Sequence, residues 1–240
     1  MRRSLSNSIW FAPLILLLLG MACNNHSNKS SAPEKESETK WSVRMANTVM
    51  SQHDSLIYYE GRKRINWQYD VAMLAMAIDK LGGLDPRYSD YMKTYYDYFI
   101  GDDGSVKNYR IEEYNIDRIN PAKNLFTLYK RTGEEKYNQA IQLFVRQMEK
   151  HPKTKSGGYW HKKIYPWQMW LDGIYMGSPF LAQYAKEYNQ PGWFDVVTHQ
   201  IILIQEKTLD PKTGLLYHAW DESKAQRWSN PETGQSPHFW

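Results

Sequence analysis

The amino-acid sequence predicts an all-α fold in which about seven helices pack as successive hairpins. Apolar residues recur every three or four positions in several separate segments, which is the spacing that lines one face of an α-helix. Tight turns and longer loops join the segments alternately, so the unit of loop, helix, turn and helix repeats roughly every fifty residues. A hairpin cannot bury its apolar face alone, and such repeats therefore stack as an open solenoid or a closed ring.

Apolar stripes and start signals support the individual helices. Asn120 followed by Pro121 supplies an N-cap and a proline at the first position of the fourth helix. Thr132 and Glu135 have the Thr-x-x-Glu spacing of a capping box before the fifth helix. The seventh helix carries an apolar stripe of Phe194, Val197, Ile201 and Ile204. In chain order, the helices are expected near residues 41–53, 67–81, 88–100, 121–132, 135–149, 167–188 and 192–207.

Residues 1–40 precede the helices and are expected to serve targeting rather than folding. Residues 1–23 combine a positively charged start, a short apolar run and the only cysteine, Cys23, and they resemble a bacterial lipoprotein signal. We expect Cys23 to be lipidated and to anchor the protein in the bacterial periplasm, at the outer membrane or at the cell surface. An ordinary secretory signal or an uncleaved anchor is the alternative. The polar residues 24–40 predict a flexible tether before a folded region at residues 41–240.

Composition and motifs exclude several classes of function. The formal net charge is +4 and no run of lysine and arginine stands out, so we expect no nucleic-acid partner. The seven histidines show no metal-ligand spacing and no phosphate-binding glycine loop is present, so we expect neither a metal nor another cofactor. Because Cys23 belongs to the targeting region, the fold has neither a cysteine nucleophile nor an internal disulfide.

The alternation of turns and loops places the polar candidates at one end of the stack. If the second, fourth and sixth helices are equivalent, their N-termini and the long loops before them share that end. Trp67 and Tyr69 begin the second helix, and Asp117 precedes the fourth. His161 lies in the loop before the sixth helix, and Asp172 lies in its first turns. Helix N-termini carry partial positive charge and free N–H groups, so this end would suit a small anionic ligand.

Asp117 and Asp172 are the candidates for acid–base chemistry. Asp172 lies in the stretch "WQMWLDGIYMGSPF", where two tryptophans, two methionines and a tyrosine surround a single carboxylate. Apolar surroundings favour the protonated form of a carboxyl group, so Asp172 could donate a proton while a better solvated Asp117 stays ionised. The residues alone leave structural alternatives open: Asp172 would interact with its helix dipole, and Asp117 would cap a helix or a turn.

Five sequence blocks resemble those of a family of sugar-cleaving enzymes. They are "NIDRINPAKNLFTLY", "GGYWHK", "WQMWLDGIYMGSPF", "GLLYHAWDES" and "SPHFW", and they occur in the family order. Together they resemble the unsaturated rhamnogalacturonyl hydrolases of glycoside hydrolase family 105 and, more distantly, the unsaturated glucuronyl hydrolases of family 88. The resemblance covers residues 41–240 and implies an (α/α)6 barrel, a ring of six helical hairpins, of which this chain would hold about seven of twelve helices.

The resemblance also implies a reaction and its residues. Asp172 matches the general acid/base and Asp117 matches the second essential aspartate. Such a hydrolase hydrates the C4=C5 enol ether at the non-reducing end of a lyase product, and so releases a 4,5-unsaturated uronic acid. The expected partner is an unsaturated uronate-containing oligosaccharide, with unsaturated galacturonic acid on a rhamnogalacturonan-type chain. Substrate contacts are expected from His161, His218, Trp170, Met176, Trp240 and one of the pair Trp67 and Tyr69.

The position of the last matching block leads to one further expectation. In the resembling family an arginine- and glycine-containing segment follows the "FW" that ends at Trp240, so we expect this chain to be a fragment or a truncated form. The alternative function is then an inactive family member or a non-catalytic sugar-binding remnant. Residues 41–240 alone would self-associate, because helix faces that ring closure buries would be exposed.

Overall fold

A computed structural model describes residues 40–61 and 66–240. Within these ranges seven α-helices follow one another, which confirms the all-α prediction. Their boundaries agree with the expected ones to about two residues, except at the start of the sixth helix. The helices are α1 (Trp41–Gln52), α2 (Tyr69–Asp79), α3 (Pro86–Phe99), α4 (Lys123–Thr132), α5 (Glu135–Lys150), α6 (Leu171–Glu187) and α7 (Gly192–Thr208).

The helices pack as hairpins of α2 with α3, α4 with α5, and α6 with α7. Aromatic rings join the first two hairpins: Trp67 stacks on Phe144 at a ring distance of 5.6 Å and meets Tyr96 edge-on at 5.4 Å. Such rings each bury about 150–250 Å2 and dominate the energy of a core. The buried hydroxyl of Tyr96 donates to the carbonyl of Pro121 at 2.7 Å, which ties the segment before α4 to this core.

Two expected helix caps are absent, because their residues make other bonds. Asn120 begins a 3₁₀ turn, Asn120–Ala122, that leads into α4, and its side-chain amide donates to the carbonyl of Tyr175 at 3.3 Å. Thr132 is the last residue of α4, so it belongs to the preceding helix and forms no capping box with Glu135. Both corrections concern local bonds and leave the helices where the apolar pattern predicts them.

A short antiparallel sheet was not predicted and determines where α6 begins. Strand β1 (Gln168–Trp170) pairs with β2 (Ala219–Asp221), with Met169 opposite Trp220. Met169 and Trp220 pack with Leu203 and Ile204 of α7 as a small second core. Residues 168–170, which the sequence predicts as helix, are therefore extended, and α6 starts directly after them.

The expected signal segment (residues 1–23), the lipidation site Cys23 and residues 24–39 of the expected tether lie outside the described residues. The folded region that the structure does describe, Lys40–Trp240, forms one compact unit. No helix of this unit is both long and apolar enough to cross a membrane.

Candidate active site

Backbone hydrogen bonds bring three separate segments together near the starts of α4 and α6. The amide of Ile116 donates to the carbonyl of His161 at 3.1 Å, and the amide of His161 donates to the carbonyl of Gln168 at 2.7 Å. Asp117 directly follows Ile116, and Asp172 lies in the first turn of α6, just after β1. Asp117, His161 and Asp172 therefore meet, although 55 residues separate the two aspartates along the chain (172 minus 117).

The side chain of His161 faces both carboxylates. Its Nε2 atom is 3.3 Å from Oδ1 of Asp117 and 3.9 Å from Oδ2 of Asp172. The ammonium of Lys162 is 2.7 Å from the other oxygen of Asp117. One donor atom from each of Asp117, His161 and Asp172 lies within 4.8 Å of the others, so this trio could also hold a metal ion. We refer to these four residues as the Asp117 cluster.

Neighbouring basic groups determine the charge of Asp117. Burial of this side chain, which is 17% exposed, acts to raise the pKa of Asp117. The His161 imidazole and the Lys162 ammonium outweigh burial and hold the pKa of Asp117 below its usual value, so the carboxylate is ionised at neutral pH. The prediction that Asp117 is better solvated than Asp172 is wrong, because the Asp172 side chain is 22% exposed.

The cluster retains hydrogen-bonding capacity that the fold does not use. Oδ1 of Asp117, Nδ1 of His161 and Oδ1 of Asp172 are buried and have no hydrogen-bond partner among the described residues. The 3.3 Å approach of His161 Nε2 to Asp117 Oδ1 lacks hydrogen-bond alignment. Each buried polar atom left unpaired costs about 1–3 kcal/mol, so three in one place indicate a site that a ligand completes.

Aromatic rings stand beside the two carboxylates. The ring of Trp170 lies parallel to that of His161 at 4.4 Å and to that of Tyr165 at 5.2 Å. His218 is 5.6 Å from the ring of Trp170 and 4.8 Å from that of the exposed Trp240. Indole and phenol rings offer apolar faces with a polar edge, which suits the stacking of a sugar ring.

Two of the residues expected to contact substrate are buried in the core. Trp67 is completely buried, and its Nε1 atom donates to the carbonyl of Arg118 at 2.9 Å, so the structure assigns it to the core. Met176 is also buried in that core and presents almost no surface to a ligand. Of the two aromatic alternatives, Tyr69 is the exposed one, at the first position of α2. The structure does bring together Asp117, His161, Trp170, Asp172, His218 and Trp240.

Three residues in or beside the cluster were not singled out from the sequence. Lys162 is a member of the cluster, and its signal was its place next to His161 in "GGYWHK". Tyr165 stacks on Trp170 beside the cluster. His151 lies behind the loop, where its Nε2 atom is 2.7 Å from the carbonyl of Trp160. Burial lowers the pKa of His151 to about 4, so this imidazole is neutral and supports the loop through hydrogen bonds.

Comparison with known proteins relates this site to carbohydrate-active enzymes. Residues 41–240 match the model of the family described as Glycosyl Hydrolase Family 88. The unsaturated rhamnogalacturonyl hydrolase YesR of Bacillus subtilis (strain 168) is 25% identical over 167 residues, which are 67% of this chain and 46% of YesR. A glycoside hydrolase from family 105 of C. acetobutylicum ATCC 824 is 44% identical with a TM-score of 0.78, over 84% of this chain and 54% of that one.

The fold likeness extends to more distant enzymes. An inactive variant of the α-1,6-mannanase GH76A of Salegentibacter sp. HEL1_6, in complex with α-1,6-mannotetrose, is 16% identical with a TM-score of 0.59. The likeness covers 78% of this chain and 57% of the mannanase, and it shows the fold alone. The likeness to the family 105 enzyme confirms the predicted six-hairpin fold class. This chain spans about half the length of YesR and of that enzyme.

Proposed function

The chain belongs to Glycosyl Hydrolase Family 88, and we propose that it releases a 4,5-unsaturated uronic acid from the non-reducing end of an oligosaccharide. The meeting of Asp117, His161 and Asp172, each with a buried atom that lacks a hydrogen bond, is the observation that carries this proposal. A proton donor, a fixed anion and unused hydrogen-bonding groups in one place suit hydration of a polarised double bond.

The reaction adds one water across the enol ether. Asp172 donates a proton to C4, and the electron pair of the C4=C5 bond forms the new C–H bond. The positive charge that develops at C5 is shared with the ring oxygen. Water then adds to C5 and returns a proton to Asp172, which restores the acid. The hemiketal formed at C5 opens, and the hemiacetal left at C1 releases the remaining oligosaccharide.

Asp117 and the aromatic side chains prepare the site for this step. Asp117 stays ionised, so it stabilises the cation that forms near C5 and can accept hydrogen bonds from ring hydroxyl groups. Trp170 supports the sugar ring, and His218 with Trp240 extends the surface toward the next residue of the oligosaccharide. Because the bound substrate is already held in this geometry, the reaction step loses less translational and rotational entropy than it would in free solution.

The substrate and location are narrower parts of the proposal. The 25% identity to a protein named unsaturated rhamnogalacturonyl hydrolase supports unsaturated galacturonic acid on a rhamnogalacturonan-type chain. We place the activity in the bacterial periplasm or at the cell surface, with lipidation at Cys23 as the anchor, on the strength of the sequence of residues 1–23.

A spectroscopic assay tests this function. Hydration removes the conjugated double bond of lyase-treated rhamnogalacturonan, so its ultraviolet absorbance should fall, and mass spectrometry should find the gain of one water and two products. Unsaturated glucuronyl oligosaccharides provide the comparison substrate. Binding of the rhamnogalacturonan product without any loss of absorbance would overturn the proposal and indicate a sugar-binding protein instead.

The same assay decides whether the cluster works with a metal. Activity that survives exhaustive chelation and does not rise with added divalent cations is the expected result, because Lys162 already neutralises Asp117. Loss of activity on chelation and its recovery with one cation would show that the trio holds a metal ion and would replace the proton-donor role of Asp172.

A further inference from the structure

Lys123 is a half-buried cation of α4 that contacts α6 through Tyr175 and that the proposed reaction does not yet use. It is the first residue of α4, and its ammonium lies 4.4 Å from the centre of the Tyr175 ring. No carboxylate of the described residues lies within ion-pair distance of it, whereas Lys162 is paired with Asp117. Burial is the cause that lowers the pKa of Lys123 below its usual value.

Tyr175 connects this ammonium to the face of α6 that carries Asp172. Tyr175 follows Asp172 by three residues in α6, so the two side chains occupy the same face of that helix. A helical side chain leans toward the N-terminus of its own helix, which brings the Tyr175 ring over the turn that holds Asp172. The amide of Asn120, three residues before Lys123, bonds the carbonyl of Tyr175 and joins the start of α4 to this turn.

Lys123 does not benefit the fold at this position. The N-terminus of a helix carries partial positive charge, so a cation in the first turn of α4 is unfavourable. Partial burial without a counter-ion adds a desolvation cost. The contact with Tyr175 recovers only part of this, since cation–π contacts at partly exposed sites are weak. A bound anion would offset both costs.

We propose that the Lys123 ammonium, held over the Tyr175 ring, binds the carboxylate of the uronic acid whose C4 accepts the proton from Asp172. The inference rests on the proposed function and adds the group that makes the site selective for acidic sugars. In an unsaturated uronate the carboxylate is attached to C5, one bond from the carbon that is protonated. The ammonium lies over the ring of the residue one helical turn after Asp172, which places it on the same face of α6 as the proposed proton donor.

The charge of the substrate provides a direct test. The substrates are the unsaturated galacturonyl–rhamnose disaccharide, which has a single carboxylate, and its methyl ester, which has none. For Lys123→Gln we expect kcat/KM on the free acid to fall about tenfold to a hundredfold, because a hydrogen bond to a charged group is lost. On the methyl ester kcat/KM should change less than about twofold. Lys123→Arg keeps the positive charge and should retain the preference for the acid.

Matched controls separate this role from a structural one. Lys107 also lies over a tyrosine ring, 3.8 Å from the centre of Tyr98, but on an exposed loop. Lys107→Gln should leave both substrates unaffected. Lys123→Gln should melt at the same temperature as the unaltered protein or slightly higher, because it removes a cation from a helix N-terminus. Equal loss on the acid and the ester would overturn the inference and make Lys123 a residue that only supports the fold.

A binding measurement keeps the inference separate from the reaction. In the Asp172→Asn background, calorimetric titration should show that the free acid binds more tightly than its methyl ester, and that Lys123→Gln removes this difference. If the unaltered protein hydrolyses neither substrate, the proposed function fails, and this titration still decides the role of Lys123. If hydrolysis occurs but the acid and the ester bind Lys123→Gln with the same ratio as before, the inference about Lys123 fails alone.

Discussion

Two aspartates of this fold, Asp97 on α3 and Asp117 in the candidate site, have the same kind of surroundings and different consequences. Hydrogen bonds from lysines counter burial and lower the pKa of Asp97, and His161 with Lys162 does the same for Asp117. Both oxygens of Asp97 are bonded, one to Lys93 at 2.7 Å and the other to Lys136 at 2.8 Å. One oxygen of Asp117 has no hydrogen bond at all.

The difference shows which property identifies a functional group in this protein. A lowered carboxyl pKa is common to both aspartates, so it does not by itself distinguish a site from a structural ion network. In the network around Asp97, both carboxylate oxygens are bonded, and Oδ1 also accepts from the Tyr137 hydroxyl at 2.5 Å. The Asp117 cluster leaves a buried atom unpaired on each of three side chains. Unused buried hydrogen-bonding capacity is therefore the better indicator here.

Of the predicted changes, removal of the acidic proton of Asp172 should reduce activity the most. For Asp172→Asn we expect kcat to fall at least about a thousandfold, because the general acid and its coupled positioning disappear together. Substrate binding should persist, since the shape of the side chain is kept. Asp195→Asn is the matched control, because Asp195 is the exposed first-turn aspartate of α7. Retention of more than about a tenth of the activity by Asp172→Asn would show that another group donates the proton.

The helices were predictable because their signal is local, but its success varies along the chain. The stripe of α5 is buried as expected, for instance at Ile141 and Phe144. In the stripe of α7, Val197 is buried but Phe194 and Ile201 are about half exposed, at 43% and 45%. Periodicity shows that a helix has an apolar face, but not whether a neighbour covers that face.

The candidate site was less accessible to sequence reasoning, since it depends on contacts between distant segments. Spacing alone could not bring Asp117 to His161, because the backbone bond from Ile116 to His161 spans 45 residues (161 minus 116). The residues alone singled out both aspartates as acid–base candidates, the family resemblance assigned their roles, and those roles remain predictions. The sequence could not choose between Trp67 and Tyr69, because an aromatic residue near a helix start has the same sequence signal in a core and in a pocket. No sequence pattern points to Lys123, because its interest comes from the lack of a carboxylate near its ammonium among the described residues.

Behind the cluster, His151 should make stability fall in acid. The pKa of His151 is about 4 in the folded protein and about 6.5 in the unfolded chain, so the unfolded chain binds the proton more readily between these values. The free energy of unfolding should therefore decrease as the pH falls from about 6.5 to about 4, by about 3 kcal/mol from this group. Above pH 6.5 the contribution is fully present and constant.

Urea unfolding at several pH values measures this contribution. His151→Gln keeps a side chain that can hydrogen-bond the Trp160 carbonyl but does not titrate. The variant should lose less stability between pH 7 and pH 4.5 than the unaltered protein, and the gap between the two curves isolates His151 from the aspartates. If stability falls equally with pH in both proteins, the pKa of His151 is not lowered in the fold, and the prediction is wrong.

Replacing one lysine that pairs with each aspartate tests the difference between Asp97 and Asp117. Lys162 helps to hold the pKa of Asp117 low, so Lys162→Gln should raise that pKa. Because Asp117 must be ionised for activity, the acid limb of the profile of kcat/KM against pH should move to higher pH. Lys93→Gln, the equivalent change at Asp97, should leave the profile in place. A shift with both variants would indicate a general effect of net charge.

Loss of the Asp97 charge should produce the smallest effect, confined to stability. The side chains of Asp97, Lys93 and Lys136 are 34%, 30% and 14% exposed, so solvent screens their interactions. For Asp97→Asn we expect the free energy of unfolding to fall by about 1 kcal/mol or less at low salt, and by less still at high salt. Glu134 retains its contacts with both lysines and limits the loss. Activity should be unchanged, because both oxygens of Asp97 are already bonded within the fold. A tenfold loss of activity would contradict this and would mean that the Asp97 network and the Asp117 cluster are coupled through α5.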